Sequence, residues 1–385
     1  MTDNKLIYLD NQATTPMDQG VFEAMAPFFI TSFGNAGSHS HRFGEDAAKA
    51  VDLSRRTVAR VIGARSSLEV IFTSGATESN NLALQGALKV LVKQGKRHVI
   101  TSAIEHKSVL DVLANMEAQK LIEVSYLFPD QEGCFQVDDI EKAIRTDTGL
   151  LSFMFVNNEI GTINSIQDIG LLARRRELLF HCDAAQAAGK LQIDVESSGI
   201  DFLSVSAHKV YGPKGVGALY VRNSDQVEPI VFGGGQERGL RSGTLPVPLV
   251  VGLAKALEIA DQEMNTDANR IAVLRNTLLK GLMDGVLDIV VNGSMDQRIY
   301  NNLNVSFLGV KSDTLMMNLW NEIAVSSGSA CTSVNWEGSY VLKAMGLPSE
   351  RINSAIRFGL GRMTTEDEIG MAVNILLKAV KRLRE

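Results

Sequence analysis

Between residues 68 and 221 the chain alternates short apolar runs with stretches of helical spacing, the runs falling at 68–72, 98–102, 123–127, 150–156, 179–183, 202–206 and 215–221. Several of these runs are apolar at successive positions rather than at every second one. Strands of that kind are buried on both faces, so the pattern predicts an α/β fold with a largely parallel sheet between helices. Ligands in such a sheet lie beyond the carboxyl ends of the strands. His106, Asn158 with Glu159, Asp183 with Gln186, and Ser206 with His208 and Lys209 close these runs. They are therefore expected around one crevice.

Past residue 221 the pattern changes. A helix is expected from Pro248 to about Met264, followed by alternating strands at 302–307, 323–326 and 355–358 with helices between them, which is a smaller α/β domain. A strand at 6–9 and the polar segment Asp10 to Pro16 are expected to join it, as an arm reaching over a site, with Pro16 starting a helix. The domains are accordingly expected at 16–260 and at 1–15 with 261–385. A further helix is read at 44–62. In the last helix Thr365 and Glu368 form a capping-box pattern, the apolar stripe is Ile369, Ala372, Leu376, Val380 and Leu383, and Lys381 and Arg382 sit at the negative end of the dipole.

Composition narrows the partners. The 385 residues are 45% hydrophobic and 21% charged with a net charge of −6, and no long Lys/Arg run occurs, so direct nucleic-acid or anionic-membrane binding lacks electrostatic support. No apolar run approaches the roughly 18 residues of a membrane helix, and the start lacks the plan of a signal peptide. A cytoplasmic protein is expected. Cys134, Cys182 and Cys331 are too few and too scattered for a disulfide framework or a CxxC metal site. No metal is expected. Cys182 reads as a packed thiol, whereas Cys331 stands in Ser326-Ser327-Gly328-Ser329-Ala330-Cys331-Thr332-Ser333, a small, polar, glycine-bearing stretch that suits an exposed, movable nucleophile.

Lys209 ends the strand-like run before Tyr211-Gly212-Pro213-Lys214-Gly215, a sequence that neither continues a strand nor begins a stable helix. A lysine at the edge of a buried sheet is partly desolvated, which favours the neutral amine that forms a Schiff base. Thr73-Ser74-Gly75-Ala76-Thr77-Glu78 reads as a tight turn between a strand and a helix, where free N–H groups and a helix dipole suit a phosphate; a plain N-cap by Thr77 or Ser74 is the alternative. A carboxylate at one strand end and a lysine at the next are what a pyridoxal phosphate site requires. Asp183 would keep the pyridine nitrogen protonated, His106 would lie over the ring, Gln186 would donate to the ring oxygen, and Thr77, Ser206 and His208 would hold the phosphate. Singly, each is more often a structural residue. In this order they form a set.

Through TSGATES, TSAIEHKSVL, VNNEIGT, HCDAAQ, SAHKVYGPKG, GGGQERGLRSGT, SSGSACTS and IRFGLGR, nearly the whole chain resembles the cysteine desulfurases of aminotransferase class V. The resemblance implies the fold type I of pyridoxal 5'-phosphate-dependent transferases, with a mainly parallel seven-stranded sheet. It implies that Lys209 carries the cofactor, that Ala76 joins the phosphate site, and that Asn158 and Arg357 hold the substrate carboxylate. Thr244 would reach the phosphate of the other subunit of a homodimer. Cys331 would attack the sulfur of L-cysteine, leaving alanine and a persulfide to be passed to an acceptor protein. Supply of iron–sulfur clusters, tRNA thiolation or DNA phosphorothioation are the expected destinations, and FGNAGS with FGGGQERGLRSGTLPVPL resembles the phosphorothioation type. Ala36 stands where many relatives have proline, and the longer tail that docks an iron–sulfur scaffold in housekeeping relatives is missing from this sequence. The rivals are a selenocysteine lyase, against which Cys331 argues, and a catalytically silent sulfur carrier, against which Lys209, Asp183 and His106 argue together.

Overall fold

The computed structural model describes residues 6–328 and 338–385. Cys331, the expected nucleophile, lies outside them. Strand β1 (Ile7–Tyr8) opens the described chain, and the larger sheet follows with β2 (Val70–Thr73), β3 (His98–Ser102), β4 (Glu123–Leu127), β5 (Thr148–Ser152), β6 (Leu179–Asp183), β7 (Phe202–Ser206) and β8 (Gly217–Val221). Their spatial order is β2-β8-β7-β6-β5-β3-β4. β8 is antiparallel to both its neighbours and every other pair is parallel, so all strands except β8 point their carboxyl ends to one edge. That is the mainly parallel seven-stranded sheet the sequence implied.

Successive residues of the central strands serve opposite faces. Ile100, Leu151, Phe180 and Leu203 join a core that includes Val51 and Val58 of α2 (Arg42–Val61), after the short α1 (Gln19–Met25). Val99 and Leu150 instead meet Leu84 and Leu88 of α3 (Ala76–Lys93) and Val109 and Leu113 of α4 (Lys107–Ala118). Each such fully buried side chain contributes about 1.5–3 kcal/mol, which fixes the register and with it the strand ends.

The helix expected to stop near Met264 runs on as α5 (Val247–Gly285). Its first half buries Val250, Leu253 and Leu257 in the core of the larger sheet, and its second half buries Ile271, Leu274, Leu278 and Leu282 in a second core. The polar stretch between these stripes resembles a terminus, but it holds no Pro or Gly to break the helix. That second core surrounds β9 (Ile289–Val291), β10 (Asn302–Phe307) and β12 (Ala355–Gly359), an antiparallel sheet in the order β12-β10-β9, of which β9 escaped the sequence reading. β11 (Ile323–Ala324) pairs in parallel with β1.

Alternation in β10 does not mean one wet face, because all its residues are buried. Asn302 and Asn304 donate their amides to Glu159 O at 3.2 and 3.1 Å, so the polar face packs on the other half of the molecule. Strand β5 ends at Ser152 rather than 156, and the short α6 (Tyr340–Ala344) precedes β12. Pro16 begins no helix: Thr15 N–H is held by His208 O, Asp18 N–H by Tyr211 O, and α1 starts only after Asp18 caps it through Gly20 N. The last helix, α7 (Glu366–Arg384), has the expected capping box between Thr365 and Glu368 and buries Ile369, Ala372, Leu376 and Val380. No helix among the described residues is long and apolar enough to cross a membrane.

Candidate active site

At the carboxyl edge of the larger sheet lies a cleft of about 450 Å³, and Ala76, Thr77, His106, Asn158, Asp183, Gln186, Ser206, His208, Lys209 and Arg357 all line it. Among the described residues one predicted residue stands apart. Thr244 is exposed and is not among the lining residues of its own chain's cleft.

One end of the cleft is built for an anion. Helix α3 starts from Gly75, and no side chain caps it. Neither Thr77 nor Ser74 acts as the cap; Ser74 N–H instead donates to Glu78 Oε2 at 2.6 Å, and Arg241 holds Glu78 from behind at 2.7 Å. The positive end of an 18-residue helix therefore opens into the cleft. Gly75 has φ +150° and ψ 179°, a conformation open to glycine alone, and a Cβ there would stand 3.7 Å from Ser206 Oγ. His208 is pushed down to about 4, first by burial and then by Lys209, Lys214 and Lys190, so its ring is neutral at neutral pH. Its Nδ1 pairs with Thr14 Oγ1 at 3.2 Å.

Deeper in, Asp183 Oδ2 accepts from Asn80 Nδ2 at 2.8 Å and Oδ1 from Ala185 N–H at 2.9 Å. These bonds fix the orientation of its carboxyl group. His106 caps α4, its Nδ1 accepting the Ser108 N–H at 3.1 Å and lying 2.8 Å from Ser108 Oγ. With Nδ1 an acceptor, the ring proton resides on Nε2. Burial lowers the His106 pKa, partly offset by Asp183. Behind Asp183, buried His181 is pushed down to about 4 by desolvation and meets Asn80 Oδ1 at 3.1 Å and Ser152 Oγ at 2.8 Å.

Lys209 sits on the turn after β7 and donates its Nζ to Gln12 O at 2.6 Å and Ala13 O at 2.8 Å. Gln186 gives one amide N–H to the same Gln12 O at 2.9 Å. The expected N-terminal arm thus supplies backbone acceptors to Lys209. At the far end Arg357, 2% exposed, donates Nη2 to Asp10 Oδ1 at 2.7 Å and Nη1 to Asn158 O at 2.9 Å. Its Nε and the Asn158 Oδ1 are buried without a partner among the described residues. Such groups are costly unless a ligand answers them.

Sequence reasoning missed Asn80, Asp10 and the carbonyls of Gln12 and Ala13. Asn80 was discoverable, since it lies on the face of α3 that buries Ala83, Leu84 and Ala87, where an amide needs partners. The backbone acceptors leave no mark in side-chain chemistry. Among the other cysteines, Cys182 is fully buried with its thiol pKa pushed up by desolvation, and Cys134, half-buried, is pushed up to about 11.

Residues 7–371 match the family described as Aminotransferase class-V, and the chain belongs to that family. Within it the similarity runs to the cysteine desulfurases. The chain is 50% identical over 381 residues to the "Cysteine desulfurase IscS" of Anaeromyxobacter sp. (strain Fw109-5), covering 98% of this chain and 93% of that protein. Among solved structures, a "NIFS-LIKE PROTEIN" superposes with a TM-score of 0.90 at 37% identity, covering 98% of this chain and 99% of the other. A structure titled "SspA in complex with cysteine" superposes with a TM-score of 0.82 at 38% identity, covering 92% and 98%.

Proposed function

We propose that this chain is a pyridoxal 5'-phosphate-dependent cysteine desulfurase that converts L-cysteine to L-alanine and leaves a persulfide on Cys331 for an acceptor protein. The observation that carries the reading is the convergence of Lys209, Asp183, His106, the uncapped start of α3 and the orphaned Arg357 Nε on one cleft. The cleft fits the cofactor, since an open helix start suited to an anion, a fixed carboxylate and an amine all line it.

Bound there, the cofactor supplies an electron sink that loosens bonds at the substrate's α-carbon. Lys209 is the amine that would hold it. Asp183, fixed by Asn80 and Ala185, would keep a proton on the ring nitrogen, and His106 would stack on the ring and offer the Nε2 proton. Thr77, Ser206, His208, Gly75 and Ala76 would bind the phosphate, and Gln186 the ring oxygen. Arg357 and Asn158 would orient the substrate by its carboxylate. The Cys331 thiolate then forms an S–S bond to the substrate sulfur as the C–S bond breaks; the bonding pair remains on carbon, which takes up a proton and becomes the methyl of alanine. The small, polar setting of Cys331 in the sequence supports that role.

A homodimer with composite sites, a sulfur-acceptor protein and a cytoplasmic setting belong to the same proposal. The exposure of Thr244 outside its own cleft supports a contact with a second copy. The two apolar cores support a division into residues 16–260 and 1–15 with 261–385, with α5 spanning the join. Incubation with L-cysteine tests the reading: wild type yields alanine and a persulfide on Cys331. Cys331→Ser keeps the yellow cofactor and binds cysteine without accumulating persulfide, and Lys209→Ala loses the cofactor's visible absorbance. A Cys331→Ser protein that releases sulfur at the wild-type rate would reject it.

A further inference from the structure

Twelve residues, 327–338, separate Ser326 from Ser339, and Cys331 is among them. Both flanking serines are held by carboxylates. Ser326 Oγ donates to Asp10 Oδ2 at 2.9 Å, and Ser339 Oγ donates to Glu159 Oε2. A Cβ on Gly328 would lie 3.0 Å from the same Glu159 oxygen, so the chain passes that carboxylate on the way in and on the way out.

Arg357 holds one of these carboxylates directly and reaches the residue next to the other. Asp10 Oδ1 takes Arg357 Nη2 at 2.7 Å, Arg357 Nη1 reaches Asn158 O at 2.9 Å, and Glu159 is the next residue. The Arg357 N–H also bonds Ser326 O at 2.6 Å, and Glu159 is itself fully buried with its carbonyl held by Asn302 and Asn304. A continuous series of contacts, Ser326–Asp10–Arg357–Asn158–Glu159–Ser339, thus ties both roots of the Cys331 segment to the pair that would hold the substrate carboxylate. Asp10 and Arg357 are 15% and 2% exposed, so solvent screens their attraction little.

We infer that Glu159 is a positioning residue that sets the Cys331 segment, through its root at Ser339, against the substrate-carboxylate site, and so governs sulfur transfer rather than substrate binding, while Asp10 anchors the root at Ser326 together with Arg357. The inference rests on the desulfurase reading. Attack of one sulfur on another requires the reacting atoms about 3–3.5 Å apart, and a displacement of roughly 1 Å can cost about 100-fold in rate. Cofactor and amine sites lie outside this series of contacts.

The test uses enzyme loaded with pyridoxal phosphate and mixed rapidly with L-cysteine, following the cofactor's absorbance change and, by alkylation and mass spectrometry, the persulfide on Cys331. In Glu159→Ala the absorbance change should stay within about twofold of wild type while persulfide formation slows about tenfold or more, and Glu159→Gln, still able to accept from Ser339, should recover most of it. Persulfide formation at the wild-type rate, or slowed only in step with the absorbance change, overturns the inference. Should Glu159→Ala fail to fold, Ser339→Ala is read by the same two signals and decides the matter. Absence of persulfide in wild type would instead count against the desulfurase reading itself.

Discussion

Asn80 carries more of the site than its plain chemistry suggests. Its amide donates to Asp183 Oδ2 and to Ser108 Oγ, both at 2.8 Å, and its carbonyl oxygen meets His181 Nε2. One side chain therefore orients the Asp183 carboxylate and, through Ser108, the His106 ring. Asn80→Ala leaves the Asp183 oxygen one donor short in a buried setting. Loss of a bond to a charged group costs about 1.5–3 kcal/mol, so pyridoxal phosphate should bind about tenfold to 100-fold more weakly. Titration followed by visible absorbance measures this. An unchanged affinity would show that Ala185 N–H alone suffices to hold Asp183.

Among the elements, the start of α3 is where the proposed cofactor's phosphate would be recognised. Gly75→Ala forces a side chain into a backbone region that essentially only glycine occupies, at a cost of about 1–3 kcal/mol. The N–H groups that follow should lose their aim. The variant should bind pyridoxal phosphate more weakly by at least about tenfold while its affinity for phosphate-free pyridoxal stays near wild type, a contrast that equilibrium titration with both compounds resolves. The strand–turn–helix order of this region was plain in TSGATE, because strand burial and glycine placement are local signals. Whether Ser74 or Thr77 capped the helix was not plain, since Arg241 draws Glu78 back onto the Ser74 N–H from 163 residues away. The same contrast runs through the fold. The strands ending at Asp183 and Ser206 could be read because each opens on two successive apolar residues and is short, and the capping box at Thr365 because its two partners stand three residues apart. The length of α5 and the burial of Asn302 and Asn304 could not, because each depends on packing against a distant half of the chain.

For the molecule as a whole, pH acts on stability through groups that the fold buries. Lys190 donates to Gln186 O at 3.1 Å, and burial, with Lys209 nearby, pushes it down from 10.5 to about 7. Between those values the unfolded chain binds a proton that the folded chain lacks, so this group makes stability rise as pH climbs from 7 towards 10. Glu105 has the opposite sign. Burial pushes it up from 4.5 to about 8 against the bonds it accepts from Met154 N–H and Ser102 Oγ, so the folded chain holds the extra proton and stability falls across that window. The two slopes work against each other near neutrality, and single substitutions separate them. Measured by urea unfolding of cofactor-free protein, Lys190→Met should lose ground to wild type as pH rises from 7 to 10, whereas Glu105→Gln should gain on it from about 5 to 8. Curves parallel to wild type in both windows would mean that neither group changes its protonation on folding, and that the polar layer beneath the cleft is better solvated than its burial implies.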